Sequence, residues 1–230
     1  RWPRGRPGNR VARPAPDSLE PLFKAFPALL GRAATPVERN AFGRYADLLI
    51  LWNRTHHLTA LRTRAEIGRG LFLDSLLFRA FLPQGPLRVL DIGAGAGIPG
   101  VPLRIVEPSL SLTLIESKRK PVSFLHALTR ELGMADIVVR HGRAEDIVIE
   151  VPELEGKFDF VLTRAVGLGV DLIDTAMTYL RPGGSLLASG PPVVGAALPK
   201  VMWKGQAEWK RAEFPKIGMS RLFFMATKGD

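Results

Sequence analysis

The stretch "LDIGAGAGIPG", Leu90 to Gly100, decides how this chain is read. A short apolar run enters it through Val89 and Leu90, ends at Asp91, and breaks into glycines at 93, 95, 97 and 100. A strand that gives way to glycines just ahead of a helix is a setting in which a ligand can lie against main chain and a helix amino terminus. Gly93, Gly95 and Gly97, with Ala94 between them, permit a tight turn and close backbone approach.

Two cofactor classes compete for such a loop. Gly95-x-Gly97-x-x-Gly100 formally matches the dinucleotide fingerprint. Asp91, however, closes the strand before the turn begins, and a carboxylate meets an amine-bearing or cationic ligand better than a pyrophosphate. Glu116 closes the next apolar run, "SLTLIES", and can accept hydrogen bonds from ribose hydroxyls of either class. The balance favours S-adenosylmethionine over NAD.

Working outward, the carboxyl-terminal side alternates apolar runs with helix-length patterns. "SLTLIES" precedes a helix near Lys120–Leu132; "DIVVRHG" and "KFDFVLTRAV" precede one near Val170–Leu180; "PGGSLLASG" and "RLFFMAT" follow. This alternation predicts an α/β domain over 83–230, with a doubly wound, Rossmann-like, mostly parallel sheet. Pro191 to Gly218, broken by four prolines, is the least readable region. On the amino-terminal side Leu19, Leu22, Phe23, Phe26, Leu29 and Leu30 recur at helical spacing. "TPVE", Thr35 to Glu38, is a capping box that opens a helix faced by Phe42, Tyr45, Ala46, Leu49 and Trp52. A further helix is expected over Arg64–Phe81. Residues 17–82 therefore read as a helical extension, and 1–16 as a disordered Pro/Gly/Arg-rich tail.

Composition bounds the chemistry. None of the 230 residues is cysteine, which removes disulfides, thiolate metal sites and cysteine nucleophiles and fits a reducing compartment. No apolar run is long enough for a membrane-spanning helix. The net charge is +10, from 32 basic and 22 acidic residues. Arg1, Arg4, Arg6, Arg10 and Arg13 all precede the first acid, Asp17, yet the remainder is still basic, which favours a polyanionic partner.

The glycine loop continues as Ile-Pro-Gly-Val-Pro-Leu, and "LDIGAGAGIPGVPL" resembles the small-subunit ribosomal RNA guanine-N7 methyltransferase family, also called glucose-inhibited division protein B. The resemblance runs from about Thr35 to Lys228. It includes "WN…LTA" at Trp52–Ala60, "FLDSL" at Phe72–Leu76, Glu116–Ser117, "VSFL" at Val122–Leu125, "GRAED" at Gly142–Asp146 and "TRAV" at Thr163–Val166. It implies a class I S-adenosylmethionine-dependent methyltransferase with a helical extension. The implied reaction is methyl transfer to guanine N7 in the decoding region of small-subunit (16S) rRNA, free or in the 30S particle, in the bacterial cytoplasm. A monomer is expected. The alternatives are a methyltransferase of this fold with another RNA target, or a non-catalytic RNA- or ribosome-binding relative. The chain departs from the family pattern at His57 (usually Asn), Leu71 (usually His), Pro121 (usually Arg) and Ser189 (usually Lys), mostly on the side expected to face RNA.

The candidate residues follow. Asp91, Gly93, Ala94, Gly95, Gly97, Glu116 and Ser117 are expected at the cofactor. Ala144 and Glu145, after the third strand, fall where the resemblance places the adenine; Glu145 could equally be a solvated cap. Arg164, just beyond "FDFVLT", is the leading catalytic candidate and is expected at both cofactor and substrate, where a guanidinium can clamp phosphate or address guanine O6 and N7. Its competing role is a salt bridge to Asp91, Glu116 or Glu145. His57, Lys118, Arg119, Lys120 and Arg221 complete the substrate-side set. Trp203 and Trp209 read either as a stacking surface or as packing, and Asp74 as a residue fixing the extension against the cofactor loop. No histidine–carboxylate grouping has zinc-ligand spacing, so no metal is expected. The target atom is narrowed by exclusion: the Asn/Asp-Pro-Pro-aromatic motif of exocyclic-amine methylation is replaced by "LTRAV", and no cysteine serves cytosine C5 chemistry.

Overall fold

Val89 and Leu90 are wholly buried, and both faces of their strand are covered, as a continuous apolar run in a parallel sheet requires. The computed structural model describes residues 17–164, 168–192, 201 and 203–229. The predicted basic tail, and Ala165 and Val166 of "TRAV", lie outside the described residues.

Seven strands form one sheet: β1 (Arg88–Ile92), β2 (Ser111–Glu116), β3 (Val138–His141), β4 (Phe158–Arg164), β5 (Leu180–Pro192), β6 (Ala207–Phe214) and β7 (Met219–Thr227). Their order is β3-β2-β1-β4-β5-β7-β6. The first five pair in parallel, while β7 runs antiparallel to both β5 and β6. Strand order reverses beside β1, and such a switch point opens a crevice at the carboxyl ends of the strands. The glycine loop lies there.

Helices α1 (Glu20–Leu30) and α2 (Pro36–His56) precede the sheet. The Thr35–Glu38 capping box forms as its sequence demands. A second box, Thr63 with Glu66, opens α3 (Arg64–Ile67). The helix expected over Arg64–Phe81 is helical throughout but not uniform. After α3 it widens to a π-helical turn at Gly68–Leu73, returns to α at α4 (Asp74–Leu76), and tightens to 3-10 over Leu77–Phe81. Glycine weakens regular helix. Here Gly68 and Gly70 also let Leu19 and Leu61 approach so closely that an added Cβ would lie 2.9 and 2.8 Å from them.

The sheet helices are α5 (Gly100–Val106), α6 (Arg119–Leu132), α7 (Ala144–Glu150) and α8 (Val170–Tyr179). Extension and sheet share one core: Phe42, Tyr45 and Phe72 pack with Val101, Leu114 and Phe124. Among the described residues no helix is long and apolar enough to cross a membrane.

Candidate active site

Asp91 sits at the carboxyl end of β1 with no solvent exposure. Its Oδ2 accepts from the Gly100 amide at 2.8 Å, which ties the strand to the start of α5. Its Oδ1 is buried without a partner among the described residues. Burial pushes the carboxyl up to about 7; the Gly100 N–H opposes the rise, nearby Glu116 adds to it, and Arg164 draws it back.

The end of β2 holds the glycine loop. The Gly93 and Ala94 amides donate to the Ile115 carbonyl on β2 at 2.9 and 3.1 Å. The Gly95 amide donates to Glu116 Oε2 at 2.9 Å, and Glu116 Oε1 accepts from the Lys118 amide at 2.8 Å. Gly93, Gly95 and Gly97 all have positive φ, so the turn uses the freedom that glycine brings. At Gly97 a Cβ would lie 2.8 Å from the Tyr45 hydroxyl; at Gly100 one would lie 2.9 Å from Asp91 Oδ2.

A cavity of about 680 Å³ opens over the carboxyl ends of β1, β2 and β3. Gly93, Glu116, Ser117, Ala144 and Glu145 line it, as does Arg143, which pairs with Glu145. The other side is the start of α8, through Gly169, Asp171, Leu172 and Thr175. That wall carries no sequence motif, and nothing in the local pattern announces it. Ala144 is fixed by the Tyr179 hydroxyl, which donates to its carbonyl at 2.6 Å. Ala94, Gly95 and Gly97 shape the loop rather than line this cavity, and Asp91 lies beneath it.

Arg164 does enter a salt bridge, but not with Asp91, Glu116 or Glu145. Its Nε donates to Asp74 Oδ2 at 2.8 Å, and its Nη2 donates at 2.8 Å to the Gly70 carbonyl in the π-helical turn. Arg221, from β7, pairs with the other Asp74 oxygen and reaches the Gly190 carbonyl at 3.3 Å. Asp74 is thus a buried carboxylate between two guanidiniums, and it fixes the extension to β4 and β7 rather than to the glycine loop. A second cavity, of about 740 Å³, lies beside this cluster, walled by Leu61, Arg69, Gly70, Asp74, Ser220 and Arg221.

His57 is exposed and caps α2 in the left-handed region, at φ 51 and ψ 48. Asparagine and histidine are among the non-glycine residues that tolerate this conformation best, so the family's asparagine and this histidine satisfy the same backbone demand. Asn53, one turn earlier and buried, anchors the loop that follows: its Nδ2 donates to the Thr59 and Leu61 carbonyls at 2.8 and 3.1 Å, and its Oδ1 accepts from the Thr59 amide at 3.1 Å. The quoted "WN…LTA" motif held this signal. Lys118, Arg119 and Lys120 are exposed, and the first turn of α6 holds no acid. The tryptophans pack: Trp209 meets Phe224 edge-on at 5.5 Å, and Trp203 donates to Asp174 at 3.0 Å. Lys210 and Arg211 pair with Glu208 and Glu213. No group of three metal-binding side chains occurs among the described residues.

The strand order, the antiparallel placement of β7 and the glycine loop at the switch point define a class I, Rossmann-like methyltransferase fold. In line with this, the chain superposes on an O-methyltransferase from Bacillus cereus in complex with SAH with a TM-score of 0.56 at 17% identity, covering 92% of this chain and 100% of that one. Residues 38–190 match the family model described as GidB, rRNA small subunit methyltransferase G. The chain is 40% identical over 160 residues to the ribosomal RNA small subunit methyltransferase G of Streptococcus equi subsp. zooepidemicus (strain H70), across 69% of this chain and 67% of that protein. It is 36% identical over 170 residues to that of Streptococcus pneumoniae serotype 19F (strain G54), across 72% and 71%. The chain belongs to the rRNA small subunit methyltransferase G family.

Proposed function

We propose that this protein transfers a methyl group from S-adenosylmethionine to guanine N7 of small-subunit rRNA. The observation that carries the cofactor half is Asp91: a buried carboxylate with one oxygen unpartnered among the described residues, under a glycine loop packed so closely that a Cβ at Gly97 or Gly100 would collide with Tyr45 or with Asp91 itself. A carboxyl beneath the site that ionises near neutral pH favours an amine-bearing or cationic ligand over a pyrophosphate. Glu116, at the wall of the first cavity, is positioned for ribose hydroxyls, and Ala144 and Glu145 for the adenine edge. Bound there, S-adenosylmethionine supplies a methyl group on a positively charged sulfur.

Guanine N7 presents a lone pair and carries no proton. As the N7–carbon bond forms and the carbon–sulfur bond breaks, positive charge passes from sulfur to the base and no proton moves. Such a reaction needs positioning and electrostatics rather than a general base. The carboxylates of the second cavity are engaged otherwise. Both oxygens of Asp74 are held by guanidiniums, and Glu66 accepts from the Arg62 and Thr63 amides at the start of α3. The second cavity, between the extension and β7, is the proposed seat of the acceptor base, with Arg221 in its wall and Arg164 bonded to two of its lining residues, Asp74 and Gly70, as orienting groups.

The test is transfer of labelled methyl from S-adenosylmethionine to three acceptors: undermethylated small subunits, protein-free small-subunit rRNA, and tRNA. Label in the small-subunit rRNA is expected. Label confined to tRNA would replace the acceptor, and failure to bind S-adenosylmethionine would overturn the reaction itself.

A further inference from the structure

Five exposed cations that form no ion pair among the described residues gather along one edge of this chain, with exposed Glu66 close to Arg62. Helices α2 and α6 pack antiparallel: Arg44 meets Glu131 at 2.8 Å, and Trp52 meets Phe124 with ring centroids 5.6 Å apart. Eight residues along α2 thus correspond to seven residues back along α6. One turn further, the seam ends at His56, whose ring lies 5.0 Å from Trp52, and at Lys120, one turn before Phe124. The end of α2 and the start of α6 therefore bring His57 and the exposed run Lys118, Arg119, Lys120 to one edge of the molecule.

From His57 the chain turns through the loop anchored by Asn53. That loop delivers exposed Arg62, and its Leu61 forms a wall of the second cavity together with Arg69. Lys118, Arg119, Lys120, Arg62 and Arg69 are exposed, and none forms an ion pair among the described residues. Three cations at the start of α6 oppose its dipole, so their placement is not explained by the stability of the helix. At the other end, the Lys118 amide is bonded to Glu116, so this edge also borders the first cavity.

We infer that this band, from Lys118–Lys120 past His57 to Arg62 and Arg69, is a docking rim for the RNA sugar–phosphate backbone flanking the base delivered to the second cavity. The inference rests on the rRNA reading above and names the surface that reading requires. Spaced cations on a fixed frame fit a chain of phosphates, which supplies affinity and register but little sequence discrimination. The loop is held by three Asn53 hydrogen bonds, so little ordering is needed for the backbone to seat.

The probe is an unmethylated small-subunit rRNA transcript, titrated by fluorescence anisotropy across a series of KCl concentrations. The double variant R119E/K120E and the single variant R62E are compared with the parent and with the charge-keeping variant R119K/K120R. S-adenosylmethionine binding by calorimetry reports whether each variant is folded. The rim predicts that R119E/K120E weakens RNA binding at least tenfold near 0.1 M salt. It also flattens the plot of log affinity against log salt by about 0.7 to 0.9 for each phosphate no longer neutralised. R62E shifts both in the same direction by less, R119K/K120R stays near the parent, and all keep cofactor affinity. Unchanged RNA affinity and slope in the reversed-charge variants would overturn the rim. So would loss of binding to assembled small subunits alone, with the naked transcript unaffected, because that pattern marks an acidic protein face as the partner. If the parent methylates no rRNA yet the variants still lose RNA affinity, the acceptor reading fails and the rim stands.

Discussion

Tyr45, in the middle of α2, donates its hydroxyl to the carbonyl of Ala96 inside the glycine loop. The helical extension is thereby part of the glycine loop's support. The tyrosine is wholly buried, its ring 4.7 Å from that of Phe72, and burial followed by the nearby Asp91 charge raises its hydroxyl well above its ordinary value. It is a permanent donor.

Tyr45→Phe keeps the ring packing and leaves the Ala96 carbonyl unpaired. An unsatisfied buried acceptor costs about 1 to 3 kcal/mol. The variant is expected to melt lower and to bind S-adenosylmethionine roughly tenfold more weakly, as a looser loop would. Calorimetric titration checks this; unchanged affinity would show that α2 does not set the loop.

Asp91 gives the protein a pH signature. Its folded value of about 7 lies above the ordinary carboxylate range, so the folded chain keeps a proton that the unfolded chain releases. The stability tied to that proton is present in acid and is lost as pH rises through about 7. Asp91→Asn removes the penalty, which is on the order of 4 kcal/mol at full ionisation. The cofactor-free variant should therefore melt above the parent at about pH 8, by a margin that shrinks toward about pH 5, while binding S-adenosylmethionine far more weakly. Melts at the two pH values, with and without cofactor, check both signs.

Arg164→Ala should lower the rate of methyl transfer at least tenfold more than it lowers cofactor affinity, because the side chain faces Asp74 and Gly70 rather than the first cavity. Arg164→Lys should not restore the rate, since one ammonium cannot reproduce two directed donors. Single-turnover rates beside binding constants separate the two effects.

Much of this fold is legible in the sequence because the signals are local. The strand that ends at Asp91, the spacing of Gly93, Gly95 and Gly97, and the Thr35–Glu38 box depend on neighbours in the chain, and each forms as its residues predict. Sequence position singles out Arg164 but not its partner. Asp74 is 90 residues away, and only the packing of the extension against β4 brings the two together. The pairing of Arg221 escapes for the same reason: its sequence position assigns it to the substrate side, and in the fold it is one of two guanidiniums on Asp74. The π-helical turn is likewise unannounced by the local pattern, and Leu19 and Leu61 lie close against its two glycines. His57 shows the reverse case, in which a departure that looks chemical has a backbone explanation.

Asn53→Ala should free the loop from Thr59 to Leu61 and leave three polar groups unpaired. A loss on the order of 2 kcal/mol is expected, together with faster proteolysis between residues 57 and 62 and weaker RNA binding at unchanged cofactor affinity. A variant as resistant to protease as the parent would remove Asn53 from the loop's support.

Guanine N7 as acceptor is tested by cleavage chemistry specific for N7-methylguanine, applied to small-subunit rRNA after incubation with protein and S-adenosylmethionine. One new cleavage position is expected, requiring both components and strongly diminished with Arg164→Ala. Methyl incorporation into that rRNA without any such cleavage, or cleavage that appears only in another RNA, would contradict it.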